Sequence, residues 1–233
     1  MRRRPLCLLW ALLLPVTAAA MPDLETRLLR QAPDLDPTVL DLALKARDCA
    51  SGGRPRGSRL AVIDYSRPST DKRLWIFDLD RARLLHHEFV AHGRGSGENH
   101  ATAFSNREGS YQSSLGLFRT ADTYEGGNGY TLRLDGLDPG FNDRARERYI
   151  VMHGAPYVDP ELAERQGRLG RSLGCPAVRP DVAQQIIDTL REGQWLFAYY
   201  PDPDWLGRAA SLSCARPTWA GAGRGNAVAG SAP

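Results

Sequence analysis

The chain has 233 residues, with 30 basic and 27 acidic side chains and a formal charge of +3. Three of the positive charges, Arg2, Arg3 and Arg4, stand at the N-terminus, and without them the two signs are equal in number. That balance excludes the basic footprint of a nucleic-acid binder and a polybasic membrane patch, and the length suits one or two domains.

Residues 1–20, MRRRPLCLLWALLLPVTAAA, join this basic start to an apolar run from Leu6 to Val16 and end on small alanines. That is the layout of a secretory signal peptide, with an apolar run too short for a spanning helix. The expectation is an exported protein, periplasmic or extracellular, with no membrane span in the mature chain. Cys7 would leave with the signal, so Cys49, Cys175 and Cys214 remain. Three is odd, which leaves at least one thiol unpaired in a monomer. Cys49 and Cys214 lie near the two ends of the folded region and are the candidates for a disulfide.

Residues 21–57 are expected to form an N-terminal helical appendage. Asp36 is placed to cap a helix and Pro37 to open it; Val39, Leu40, Ala43, Leu44 and Cys49 give it a partly apolar face. SGGRPRGS, 51–58, has the composition of a loop. Residues 58–203 then form the main domain. LAVIDYS, RLWIFDLD, HHEFVAHG, SSLGLFRTA, YTLRLDGL, RYIVMHG and QWLFAYY are rich in β-branched and aromatic residues and separated by turn clusters, so they are predicted strands. DLD, 78–80, is a predicted hairpin turn. RPDVAQQIIDTLREG is a predicted helix, with Pro180 near its start, Gly193 beyond its end, and Val182, Ile186, Ile187 and Leu190 on one face. A shorter helix is predicted from Asn142. Residues 204–233, small and polar, are expected to be a flexible tail. The strands do not alternate regularly with helices, which excludes a doubly wound fold. The predicted architecture is mainly β, a curled sandwich or barrel with flanking α-helices.

The five histidines fall in no HExxH motif, and no CxxC is present, so no metal-ligand pattern is visible; nor is any metal or organic cofactor implied by chemistry that needs only a thiol, a base and backbone donors. His153 stands apart, at the end of the apolar strand YIVMHGAP. Further on, the loop segment GRSLGCPAVRP carries Cys175. A thiolate is the attacking form of cysteine, and a nearby imidazole can take the thiol proton. The N–H groups of Leu173, Gly174 and Cys175 are candidate oxyanion donors, because Pro176 has none. Spacing alone leaves a second reading, in which Cys175 packs in the core and His153 is a satisfied strand-end histidine.

The strand ending in HG, the loop after it and the SLGC segment together resemble the L,D-transpeptidase catalytic domain, found in cysteine enzymes of bacterial peptidoglycan. VAHGRGSG, AFSNREGSYQSSLG and GLDPGFNDRARERYIVMHGA narrow the resemblance to the murein L,D-transpeptidase catalytic-domain-like branch, over roughly residues 58–200. The resemblance implies Cys175 as acylated nucleophile and His153 as base, with the Gly154 carbonyl orienting the imidazole. Ser172 would fix the cysteine loop, and Gly174 and Cys175 would supply oxyanion donors. It also implies an acyltransferase acting on peptidoglycan stem peptides, able to be acylated by carbapenem-type β-lactams. If water resolves the thioester, the outcome is an L,D-carboxypeptidase. Two departures stand out. Leu173 occupies a position where relatives carry histidine, which motivates the alternative of a catalytically silent peptidoglycan-binding protein. The arginine expected just after the cysteine is also absent, leaving Arg171 and Arg179 as candidates for binding a substrate carboxylate. Ser113 and Ser114 sit where relatives have a groove element. His92 and Asn106 are candidates either for holding a loop or for touching substrate.

Overall fold

The computed structural model describes residues 22–52 and 57–214. The expected signal peptide at 1–20 and residues 215–233 of the expected tail lie outside the described residues. The first elements are helices α1 (Leu24–Leu29) and α2 (Pro37–Ser51), whose N-termini are capped by the carboxylates of Asp23 and Asp36. Pro37 opens α2, where a missing N–H costs nothing, and Gly52 ends it in the left-handed region at φ 60°. Val39, Leu40, Ala43 and Ala46 of α2 are buried in the same core as the sheet. The segment expected to be an appendage is therefore a wall of the main domain.

Strands β1 (Arg59–Asp64), β2 (Leu74–Asp78) and β3 (Arg83–Glu88) follow, then the long pair β4 (Gly116–Gly126) and β5 (Gly129–Gly136), and the short β6 (Val151–Gly154). After β6 come α3 (Pro160–Gln166), the two-residue β7 (Ala177–Val178), α4 (Pro180–Leu190), β8 (Trp195–Tyr199), α5 (Pro203–Arg208) and α6 (Ala210–Ser213). The eight strands form one sheet in the order β3-β2-β1-β8-β4-β5-β6-β7. Every residue of β2 is buried, as is every residue of β1 after Arg59, because both faces are covered. Continuous rather than alternating hydrophobicity follows from that burial. Register shifts at Ile76/Phe77 and Thr120/Thr123 add local bend to the sheet. The curl nearly closes: Ala91, beyond β3, bridges Ala177 of β7 at the opposite edge, with Ala91 N–H donating to Ala177 O at 2.8 Å. The result is a barrel-like, mainly β fold with flanking helices. No described helix is long and apolar enough to cross a membrane.

Four local expectations are corrected. Residues 140–149 form consecutive turns instead of a helix from Asn142. There Asn142 Oδ1 takes the Asp138 N–H at 2.8 Å and Asp143 Oδ1 takes the Gly140 N–H at 2.7 Å. Such side-chain bonds compete with a helical ladder. The run HHEFVAHG is strand only as far as Glu88; the rest crosses to the far edge. The segment between His153 and Cys175 contains a capped helix, α3, with Asp159 at its N-cap and Gly167 at φ 77° after its end. Residues 204–214, assigned to the tail by composition, are folded: α5 and α6 seat Trp205 in the core with no exposed surface, and Cys214 is disulfide-bonded to Cys49 with Cα atoms 4.7 Å apart.

Candidate active site

Strand β6 delivers His153 and the loop before β7 delivers Cys175. The two strands are parallel, with His153 in register with Ala177 and Gly154 with Val178. This pairing sets Cys175, two residues before Ala177, beside the β6 backbone. The thiol donates to Tyr149 O at 3.5 Å, and the Val151 N–H lies against the same sulfur. His153 is almost fully buried, and its Nδ1–H donates to Gly154 O at 2.9 Å. A carbonyl only accepts, so the proton sits on Nδ1 and Nε2 keeps its lone pair. Beneath this point Ala91, Ala155, Val158, Ala163, Leu169 and Ala177 form a small separate apolar cluster.

Burial pushes the Cys175 thiol up, offset in part by the Val151 N–H and the charge of Arg148. Burial pushes the His153 imidazole down, offset in part by its bond to Gly154. Both shifts favour the uncharged form. The resting pair is thus a thiol and a neutral imidazole, suited to proton removal as the sulfur attacks.

The cysteine loop is pinned from two sides. Ser172 N–H donates to His92 O at 2.9 Å, and Arg94 N–H donates to Ser172 O at 2.8 Å. Ser172 Oγ donates to Cys175 O at 2.7 Å and accepts the Gly174 N–H at 3.0 Å. The Gly174 N–H is therefore turned into the loop. Of the three donors expected for an oxyanion, only the N–H groups of Leu173 and Cys175 have no acceptor among the described residues. Gly174 has φ 128°, and a Cβ there would meet Gln112 O at 2.8 Å, so both conformation and crowding require glycine. The Leu173 side chain is 58% exposed. Tyr149, 75% exposed, and Tyr111 flank the same loop, each with positive φ, 54° and 56°.

The remaining expected substrate residues are committed to protein partners. Ser113, buried, donates to Gly174 O at 3.1 Å and accepts the Gly93 N–H at 3.0 Å. Ser114, also buried, donates to Ser105 O at 2.9 Å. His92 is fully buried; Arg73 donates to its Nδ1 at 2.8 Å, so its proton lies on Nε2, facing Gly97 O at 3.4 Å. Burial and the Arg73 charge hold His92 down to about 4, an uncharged loop-holding residue. Asn106 ties its loop to Asp143 at 2.7 Å and to the Arg144 N–H at 3.1 Å. Arg171 pairs with Glu98 at 2.7 Å and also donates to Gly97 O. Arg179 grips Glu88 through Nε and Nη2 at 3.1 and 3.0 Å. Neither arginine offers a free fork to a substrate carboxylate.

Two arginines went unread in the sequence because each merely opens a strand-like run. Arg73 is fully buried, donates to Val90 O and Arg67 O, and lies over the Tyr65 ring at 5.2 Å. Arg148 braces the loop 105–114 beside the cysteine. Among the described residues no group of three or more His, Cys, Asp or Glu side chains is arranged to hold a metal ion.

The family model described as the L,D-transpeptidase catalytic domain matches residues 31–199. The chain belongs to this family. Solved L,D-transpeptidase structures resemble it at low sequence identity. One in complex with imipenem is 14% identical with a TM-score of 0.38, over 61% of this chain and 59% of that one. The L,D-transpeptidase from Mycobacterium smegmatis gives the same values. That from Stackebrandtia nassauensis is 12% identical with a TM-score of 0.37, over 77% of this chain and 90% of its own. The chain thus spans about three fifths of the length of the first two. No curated protein sequence matches the chain.

Proposed function

We propose that this protein is an exported cysteine acyltransferase acting on peptidoglycan stem peptides, an L,D-transpeptidase. The observation that carries the reading is the pairing of β6 with β7, which sets a carbonyl-oriented His153 on β6 and the free thiol of Cys175 in the loop that leads into β7 in a chain matched by the family model. Export is supported by the layout of residues 1–20 and by the Cys49–Cys214 bridge, since disulfides persist in oxidising compartments.

In the proposed reaction Cys175 Sγ attacks the carbonyl of a bond between an L-centre and a D-centre in a tetrapeptide donor. His153 Nε2 takes the thiol proton. The N–H groups of Leu173 and Cys175 hold the oxyanion. Collapse breaks the C–N bond, and His153 returns the proton to the departing amine of the terminal D-amino acid, leaving a thioester on Cys175. An amine of a neighbouring stem, deprotonated by the same imidazole, then displaces the sulfur and forms the cross-link. Water in place of the amine gives L,D-carboxypeptidase activity. The imipenem complex of a family structure extends the reading to acylation of Cys175 by carbapenem-type β-lactams.

The test is incubation with purified muropeptides followed by mass spectrometry. The reading expects a cross-linked dimer or a shortened stem with the wild type and neither with Cys175→Ala. Binding of muropeptides without any product, equal in the two proteins, would instead make this a silent peptidoglycan-binding protein, the alternative that the exposed Leu173 motivates.

A further inference from the structure

Arg148 lies in the last turn before β6, one residue short of its end, and is half-buried. Its Nη1 donates to Ser105 O and Ser114 Oγ, both at 2.6 Å, and its Nη2 to Gln112 O at 2.8 Å and Ser110 Oγ at 3.2 Å. All four acceptors are neutral oxygens. Among the described residues no carboxylate pairs with it, whereas its neighbours Arg144 and Arg146 are paired with Glu147 and Asp135. The cage is built against the nucleophile. Gln112 O, which takes Nη2, is the atom that a Cβ on Gly174 would strike. The next residue, Tyr149, accepts the Cys175 thiol.

We propose that Arg148 is the fixed cation of this site, held by neutral acceptors so that its charge stays unbalanced and stabilises the negative charge that forms on Cys175 Sγ. The proposal rests on the reading of Cys175 as a nucleophile. Arg171 and Arg179, by contrast, are both neutralised by glutamates. The other titratable groups around the sulfur carry no charge at neutral pH. Burial pushes the Tyr65 and Tyr157 phenols up to about 12, and His153 is held in its neutral form. Arg148 itself faces Arg144, which lies among Glu147, Glu108 and Asp143. A half-buried guanidinium acts on the sulfur with less solvent screening than a surface charge.

The test is the pH dependence of Cys175 alkylation by iodoacetamide, on the full chain with the Cys49–Cys214 disulfide intact. Wild type, Arg148→Met, Arg148→Lys and Ser110→Asp are compared. Removing the charge is expected to raise the alkylation midpoint by about one pH unit. Arg148→Lys, which keeps the charge and loses the fork, is expected to recover most of that shift. Ser110→Asp, which keeps the fork and supplies a balancing carboxylate, is expected to raise the midpoint as Arg148→Met does. An unchanged midpoint in both Arg148→Met and Ser110→Asp overturns the proposal. So does a shift in Arg148→Lys equal to that in Arg148→Met, because bracing of the loop rather than charge would then explain it. A wild-type thiol that never reacts sinks the nucleophile reading itself, a result distinct from the other two.

Discussion

Replacing Ser113 with alanine removes one hydroxyl from the interior and leaves two backbone groups without partners. The Gly93 N–H loses its acceptor at 3.0 Å and Gly174 O loses its donor at 3.1 Å. Ser113 is 1% exposed, so water does not readily replace the hydroxyl. A buried polar group left unsatisfied costs about 1–3 kcal/mol. Allowing for partial relaxation, Ser113→Ala should destabilise the fold by about 2–4 kcal/mol. Urea unfolding reads this as a lower midpoint with an unchanged slope. Gly174 O is also part of the cysteine loop, so acylation of the folded variant should slow as well. Ser51→Ala is the control: its hydroxyl bonds Asp48 O at the surface, and its removal should cost less than about 0.5 kcal/mol. If the two variants have the same midpoint, the argument that Ser113 fastens the nucleophile loop is wrong. If stability falls while acylation keeps its rate, the hydroxyl serves the fold and not the thiol.

Three further outcomes are expected. The Cys49–Cys214 bridge joins positions 165 residues apart, and loop-closure entropy over that span gives up to about 5 kcal/mol; the Cys49→Ser/Cys214→Ser double variant should lose about 3–5 kcal/mol in urea unfolding, and an unchanged midpoint contradicts this. The unfolded chain protonates His92 below pH about 6.5, whereas the folded chain refuses the proton until about 4. Acid therefore favours unfolding, and the His92 share of stability, about 3 kcal/mol, should be lost as pH falls from about 6.5 to about 4. A His92→Gln variant with an identical acid profile would refute that. The rate of Cys175 acylation should fall in acid as His153 protonates, with a midpoint below the ordinary histidine value of about 6.5, because burial holds the imidazole down. A limb centred above 7 would point to another group.

The parts of this fold legible in the sequence are those decided by local chemistry. Strands β1, β2 and β8 are buried on both faces and show it as unbroken apolar runs; α2 and α4 show it through Pro37, Pro180 and their apolar faces. What stayed hidden depends on distant partners. Strand β7 is two residues long and exists because β6 and Ala91 pair with it. Trp205 sits in a composition poor in apolar residues, yet its full burial, the disulfide of Cys214 and the bonds of Ser211 to Asp138 together fix residues 203–214. At the site, His153 and Cys175 could be singled out because a strand end and a Gly-Cys-Pro turn are local features. The fate of Arg171 and Arg179 could not: Arg179 has a local partner in Asp181, but the glutamates that occupy the two forks, Glu98 and Glu88, lie 73 and 91 residues away. Nor could the direction of the Gly174 N–H, which Ser172 Oγ sets through the curvature of the loop.

The central claim is that Cys175 is a nucleophile in an acyl-transfer site, and the most direct measurement is the intact mass of the full chain after incubation with imipenem. One added drug mass is expected on the wild type, none on Cys175→Ala, and an adduct carried by the peptide that contains Cys175. No adduct on the wild type, or an adduct that persists on Cys175→Ala, would contradict it.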